Sequence, residues 1–223
     1  MIVELVAGYP GRTVLRQVTA RIPRPGVTAV VGPNGSGKST LLGVLAGVIP
    51  ATSGTVERPS RPAYVVQRSE APDSLPITVR AAVAMGRWAH RGPWRRLTRH
   101  DWAVVDACLD RMDILGLAAR PLGQLSGGQR QRALVAQGLA QESDLLLLDE
   151  PATGLDAEAR SHIATVVREL AAGGVTVVHA THDPGAAREA DHCIALEDGR
   201  LVAEGSPAEI GKNSCANLLS YLR

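Results

Sequence analysis

The chain has 223 residues and a net charge of +2, from 24 Lys and Arg against 22 Asp and Glu. At about 150 residues per domain that length fits one substantial domain with a subdomain, and so balanced a charge excludes recognition of nucleic acid by bulk electrostatics. Hydrophobic residues at 45% with no Phe point to a folded core of Leu, Val, Ile and Ala rather than disorder.

Ile2 to Ala7 and Thr13 to Ile22 alternate in polarity and are expected as antiparallel strands joined across Gly8-Tyr9-Pro10-Gly11. Val27-Thr28-Ala29-Val30-Val31 is a short apolar run between Gly26 and Gly32, as expected of a strand covered on both faces. Leu145 to Leu148 and Val175 to Ala180 have the same character. Helical patterns cover Lys38 to Val48, Asp156 to Ala172 and a long middle stretch from about Thr78 to Ala140. Within the last, Thr98-Arg99-His100-Asp101 has the form of a capping box, followed by Trp102, Val105, Leu109 and Met112 at helical spacing. Strands interleaved with helices predict an α/β fold with a mostly parallel sheet core, a small antiparallel β subdomain and an inserted helical subdomain.

The longest apolar run, Leu41 to Ala51, is broken by Gly and Pro and falls far short of the roughly 20 residues that cross a bilayer. No secretory signal is expected from the Met1-Ile2-Val3-Glu4-Leu5 start. Cys108, Cys193 and Cys215 are widely spaced and odd in number, which suits a reducing cytoplasm better than a disulfide framework.

Gly32-Pro33-Asn34-Gly35-Ser36-Gly37-Lys38-Ser39 satisfies G-x-x-x-x-G-K-[ST], after a predicted buried strand and before a predicted helix. In such a loop the backbone N–H groups and the positive helix end converge on phosphate oxygens. Lys38 is expected at the β- and γ-phosphates and Ser39 at Mg²⁺, with Thr40 next in the nucleotide-binding segment. The leucine run ends in Asp149-Glu150. Asp149 is expected to hold Mg²⁺, and Glu150, pointing elsewhere, to act as general base for the attacking water.

Leu125-Ser126-Gly127-Gly128-Gln129 matches the LSGGQ sequence of ATP-binding cassette proteins, and the chain resembles an ABC ATPase subunit over essentially its whole length. Tyr9, the phosphate loop, Gln67, LSGGQ, Asp149-Glu150, Asp156 and His182 stand in the order that this resemblance requires. The resemblance implies one ABC ATPase domain over 1–223, with a catalytic core of about 1–73 and 141–223 and a helical subdomain of about 74–140. It further implies adenine stacking by Tyr9, contact of Gln67 with Mg²⁺ or the attacking water, contact of His182 with the γ-phosphate, and Asp156 among the nucleotide-site residues. His162, His179 and His192 lack such a context and are read as structural.

Ser126 is expected to cap a helix from about Gln129 to Ala140, leaving the N–H groups near Gly127 and Gly128 accessible to an anion. One phosphate loop per chain offers this second anion site no nucleotide of its own. In the family it closes over ATP held by a second copy, so a homodimer around two ATP is implied. Gly138 stands where relatives commonly carry Ala and should cost this helix up to about 1 kcal/mol.

The segment between Lys38 and Ser126 is too short for the coiled coil of chromosome or repair ATPases, and a single phosphate loop disfavours tandem translation factors. The alternatives left are a metal importer subunit, an ABC transporter subunit for another substrate and the single-cassette ATPase of iron–sulfur cluster assembly. Met85 to Asp101, with five Arg, two Trp and no acid before Asp101, reads as a basic, amphipathic surface patch under a permease near anionic lipid headgroups or as a solvated basic loop, and it resembles the same stretch in zinc, manganese and iron-chelate importers. The resulting expectation is an ATPase on the cytoplasmic face of the cell membrane. It would be held there by a permease, be served indirectly by an extracytoplasmic substrate-binding protein, and drive uptake of a divalent metal such as zinc or manganese. No extra regulatory domain is expected after Gly205-Ser206-Pro207.

Overall fold

The computed structural model describes residues 1–57, 61–67 and 76–213. Cys215 and the expected subdomain boundary at 73/74 lie outside the described residues. The chain divides into two compact units, one of Met1–Tyr64, Asp144–Glu150 and Val167 onward, the other of Val65–Ser143 and Pro151–Val166.

In the first unit, β1 (Ile2–Tyr9) and β2 (Arg12–Ala20) form the expected antiparallel pair. A third strand, β4 (Ala51–Val56), joins the free side of β1 and was not apparent from the sequence. Ala51-Thr52-Ser53-Gly54-Thr55 is exposed along its length, so it carries no alternating pattern to read.

The second sheet has the order β5-β6-β7-β3-β8-β9, with β3 Gly26–Val31, β5 Ala63–Val65, β6 Leu145–Asp149, β7 Thr176–Ala180, β8 His192–Glu197 and β9 Arg200–Gly205. β3, β6, β7 and β8 run parallel, and β9 turns back antiparallel on β8. β6 and β7 are buried at every position, which is why their sequences are apolar runs. Helix α1 (Lys38–Ala46) packs on this sheet, and Leu41, Leu42 and Leu45 join Leu5, Leu15, Leu147, Val178 and Ile194 in one core. Burying each such side chain stabilises the fold by about 1.5–3 kcal/mol. The β-layer and the parallel sheet therefore share a core directly beneath the glycine-rich loop.

The second unit breaks the long helical stretch into α2 (Val79–Ala84), α3 (Trp88–Arg91), α4 (Arg99–Arg111) and α5 (Gly127–Leu139). Thr98 and Asp101 form the capping box that the sequence announced, Val105 and Leu109 are buried along α4, and Met112 is buried just past its C-terminal end. Helix α6 (Ala157–Ala172) begins in this unit, where His162 Nε2 lies 2.8 Å from the Arg111 carbonyl. No helix among the described residues is long and apolar enough to cross a membrane. Cys108 and Cys193 are unbridged, and burial pushes both thiols up to about 11.

Candidate nucleotide site

Gly32 to Ser39 connect β3 to α1, with Gly35 and Gly37 in the left-handed region at φ +82° and +105°. A Cβ on Gly32 would stand 2.1 Å from the Leu196 carbonyl oxygen, so only glycine fits where the loop leaves β3. The turn after β8 supports the loop from below: the Gly199 N–H donates to the Ser36 carbonyl at 3.1 Å. Inside the loop, Ser36 Oγ is buried with no hydrogen-bond partner among the described residues. A buried hydroxyl left unpaired is destabilising, and an oxygen-rich anion would satisfy it. Pro33 is half-buried and Asn34 exposed, whereas Thr40 is buried in the first turn of α1.

Lys38 is 5% exposed, and its Nζ donates to the carbonyls of Gly32 at 2.9 Å and Pro33 at 3.1 Å. Burial lowers its pKa, against the raising effect of the Glu150 and Asp149 carboxylates. Ser39 Oγ donates to Asp149 Oδ1 at 3.1 Å, and the Tyr64 hydroxyl reaches Asp149 Oδ2 at 3.5 Å. Desolvation raises the Asp149 pKa, partly offset by the Ser39 hydrogen bond. Burial is also the largest cause of the raised Tyr64 pKa, followed by the Asp149 charge. Tyr64, on β5, was missed in the sequence because nothing marks it apart from its place three residues before Gln67.

Glu150 follows Asp149 in the left-handed region at φ 47°, a conformation that costs a non-glycine residue stability. Its N–H is tied to the Ala180 carbonyl at 3.1 Å, and its carboxylate lies 3.4 Å from His182 Nδ1. His182 is set by the turn after β7. There the Thr181 hydroxyl accepts from the Asp183 N–H at 2.9 Å, and the Asp183 carboxylate caps α7 (Pro184–Arg188) by accepting from Gly185 N–H at 2.8 Å. The structure thus brings together the phosphate loop, Lys38, Ser39, Asp149, Glu150 and His182. Tyr9 ends β1 with 53% of its surface exposed. His179 is buried on β7, where desolvation lowers its pKa to about 4, and His192 pairs with Glu204 at 3.2 Å, so both serve the fold.

In the other unit, Ser126 Oγ accepts from the Gln129 N–H at 3.3 Å while Gln129 Oε1 accepts from the Ser126 N–H at 3.1 Å. α5 therefore begins at Gly127, two residues before the predicted start, with Gln129 in a capping box rather than free. No atom lies within 4 Å of a Cβ built on Gly127, and the nearest to one on Gly128 is Leu155 Cδ2, which leaves the helix end open on the Gly127 side. Asp156 Oδ1 accepts from the Ala159 N–H at 2.8 Å and caps α6. Gln67 is exposed just after β5.

A family model described as "ABC transporter" matches residues 15–153. The chain belongs to the ABC transporter family. This cassette is 41% identical over 214 residues to the hemin import ATP-binding protein HmuV of Streptomyces coelicolor, an alignment covering 90% of the chain and 75% of that protein. It is 35% identical to the zinc transport system ATP-binding protein TroB of Treponema pallidum, over 91% of the chain and 79% of that protein. Among solved structures, an ABC transporter in an inward-facing conformation superposes with a TM-score of 0.86 at 30% identity, covering 99% of the cassette and 87% of that chain. The cassette is an ATP-binding subunit of an ABC importer and an ATPase of the kind that drives transport.

Proposed function

We propose that the cassette hydrolyses Mg-ATP at the loop between β3 and α1 and, closed as a homodimer over two ATP, drives a membrane permease from the cytoplasmic face. The observation that carries the reading is the pairing of Ser39 Oγ with Asp149 Oδ1 at 3.1 Å, which sets two hard oxygen donors beside the phosphate loop. Such a pair suits Mg²⁺, which takes one or two carboxylates with substrate phosphates and keeps several waters. When bound, Mg²⁺ would neutralise charge on the phosphate oxygens.

The chain's own residues supply the rest. Backbone N–H groups between Asn34 and Thr40 and the Ser36 hydroxyl hold the phosphates, with Gly32 and Pro33 shaping the entry to the loop, while Lys38 exchanges its two carbonyl partners for phosphate oxygens. Glu150 takes the proton of the attacking water, with His182 holding its carboxylate and contacting the γ-phosphate. Tyr9 stacks on adenine, and Gln67 reports the state of the site to the helical segment between 74 and 140. Ser126, Gly127, Gly128 and Gln129 act on the nucleotide of the second copy, with Asp156 beside them.

The proposed cargo is a metal, free or chelated. TroB and a manganese transport relative, MntB of Listeria monocytogenes at 34% identity, support zinc or manganese. HmuV supports hemin as a second reading. An extracytoplasmic binding protein would deliver either cargo to the permease. Glu150→Gln tests the core of this reading. It should retain ATP binding, lose about 10²–10⁴-fold in turnover and become dimeric with ATP by light scattering. Turnover near that of the parent removes Glu150 as the base, and a monomer with bound ATP removes the sandwich. Deleting the protein and measuring zinc, manganese and hemin uptake in parallel separates the cargoes.

A further inference from the structure

Trp94 is 95% exposed, in the connection between α3 and α4. The base of this connection is built from charged groups. Arg91 donates to Asp101 Oδ2 at 3.0 Å and to Thr98 Oγ1 at 3.2 Å, and the Thr98 N–H and hydroxyl donate to the same Asp101 oxygen at 2.8 and 2.6 Å. Beneath it, Arg87, only 4% exposed, donates to Asp101 Oδ1, to the Ala140 carbonyl and to Glu142. Two of the five arginines in this stretch are therefore structural, which corrects the sequence picture of one continuous basic patch. Their role is to close Arg91 onto Thr98, so that Gly92-Pro93-Trp94-Arg95-Arg96-Leu97 stands out as a tip on a fixed base.

The tip has no acidic neighbour in sequence from Val79 to His100, and Asp101 is consumed by its own pairs. Arg95, Arg96 and Arg99 are exposed and form no ion pair among the described residues. A bare indole beside unpaired guanidinium groups has the chemistry of a membrane interface. The amphipathic ring settles at headgroup depth, and the planar forks bind phosphate oxygens bidentately. A protein partner would engage some 20–30 residues a side at a stable interface, whereas this surface is a six-residue tip on which Trp94 is the one exposed large apolar side chain.

We propose that the 92–97 tip contacts the bilayer directly, with Trp94 among the headgroups and Arg95 and Arg96 on the phosphates of anionic lipids. The inference rests on the reading of the cassette as a permease-bound subunit, which brings it to a membrane surface. Its test is independent of that reading. The purified chain is sedimented with vesicles of phosphatidylcholine alone or mixed with phosphatidylglycerol, with tryptophan emission recorded. Binding should appear on the anionic vesicles, fall with salt as charges are screened, and carry a blue shift that Trp94→Ala abolishes. Arg95→Glu with Arg96→Glu should lower partitioning at least about tenfold, and the Gln pair should fall between, both with parental ATPase activity and melting temperature. Equal partitioning onto neutral and anionic vesicles, or undiminished binding by the Glu pair, overturns the proposal. So does a chain that ignores vesicles but loses co-purification with its permease in the Glu pair, since the tip would then be a protein contact. Loss of ATPase in the Glu pair would make the tip structural and overturn it as well.

Discussion

Gly199→Ala probes how the phosphate loop is held. Asp198 and Gly199 form the two-residue turn between β8 and β9, both at positive φ (47° and 76°), with Glu197 opposite Arg200. This is the type I′ geometry that Asp-Gly favours. Gly199 also ties this turn to β2 and to the phosphate loop: its carbonyl accepts from the Arg16 N–H at 2.8 Å, its N–H donates to the Ser36 carbonyl, and a Cβ would stand 1.7 Å from the Val14 carbonyl oxygen. The left-handed φ costs alanine about 1–2 kcal/mol, and the forced shift of packed backbone adds about 1–3 kcal/mol. At about 2–4 °C per kcal/mol for a chain of this size, the melting temperature should drop by about 4–20 °C. Because the displaced turn makes the Ser36 carbonyl contact, ATP affinity should fall too. Gly174→Ala is the control: its φ is +94°, but no atom lies within 4 Å of its Cβ, so it loses only the dihedral term. Calorimetry of both variants, with ATP titration at a temperature where both are folded, decides the matter. A Gly199→Ala chain that melts no lower than Gly174→Ala and binds ATP like the parent would refute the support role.

Tyr64→Phe should leave the melting temperature nearly unchanged and raise the Mg²⁺ concentration for half-maximal ATPase by about tenfold, the lower end for losing a group that orients a metal-binding carboxylate; an unshifted Mg²⁺ dependence would make the 3.5 Å contact incidental. Tyr9→Ala should weaken ATP by about 1–3 kcal/mol if the ring stacks on adenine, with Tyr9→Trp tolerated, and unchanged affinity by calorimetric titration would remove Tyr9 from the nucleotide site.

What was legible in the sequence followed from local rules. The phosphate loop, the Thr98 box and the apolar strands β3, β6 and β7 each announce themselves within a few residues, through glycine spacing, capping chemistry or continuous burial. What was missed depends on partners distant in the chain. β4 is exposed along most of its length and owes its strand form to pairing with β1. Tyr64 gains its role only where β5 lies near the end of β6. Asp198-Gly199 was readable as a hairpin turn, since Asp-Gly sits between the apolar run of β8 and the alternating run of β9, yet its support of Ser36 appears only once β8 lies beside β3. Arg87 and Arg91 looked like surface charge because their partner Asp101 was counted as a helix cap alone, whereas its two oxygens serve both purposes.

The two buried charges of the site are shifted in opposite senses, and both shifts favour the neutral form: burial lowers the Lys38 pKa and raises that of Asp149. For Asp149 the folded state holds its proton more tightly than the unfolded chain. Its contribution to stability therefore falls as pH rises from the unfolded to the folded pKa, and near neutrality the whole cost of the charge is present. Asp149→Asn removes that charge with little change of shape. Ser39 and Tyr64 lose little, because hydroxyl groups donate to the amide oxygen or accept from its nitrogen by rotating. The nucleotide-free Asn chain should accordingly melt higher than the parent at neutral pH, with the difference shrinking on acidification as the parent carboxylate protonates. It should also lose the extra gain in melting temperature that Mg²⁺ adds to ATP, since the anionic donor is gone while the phosphate loop is intact. Calorimetry without ligand, with ATP and EDTA, and with ATP and Mg²⁺ separates these effects. A lower ligand-free melting temperature in Asp149→Asn would show that the Ser39, Tyr64 and Lys38 contacts outweigh desolvation. A retained Mg²⁺ increment would take Asp149 out of the proposed metal site.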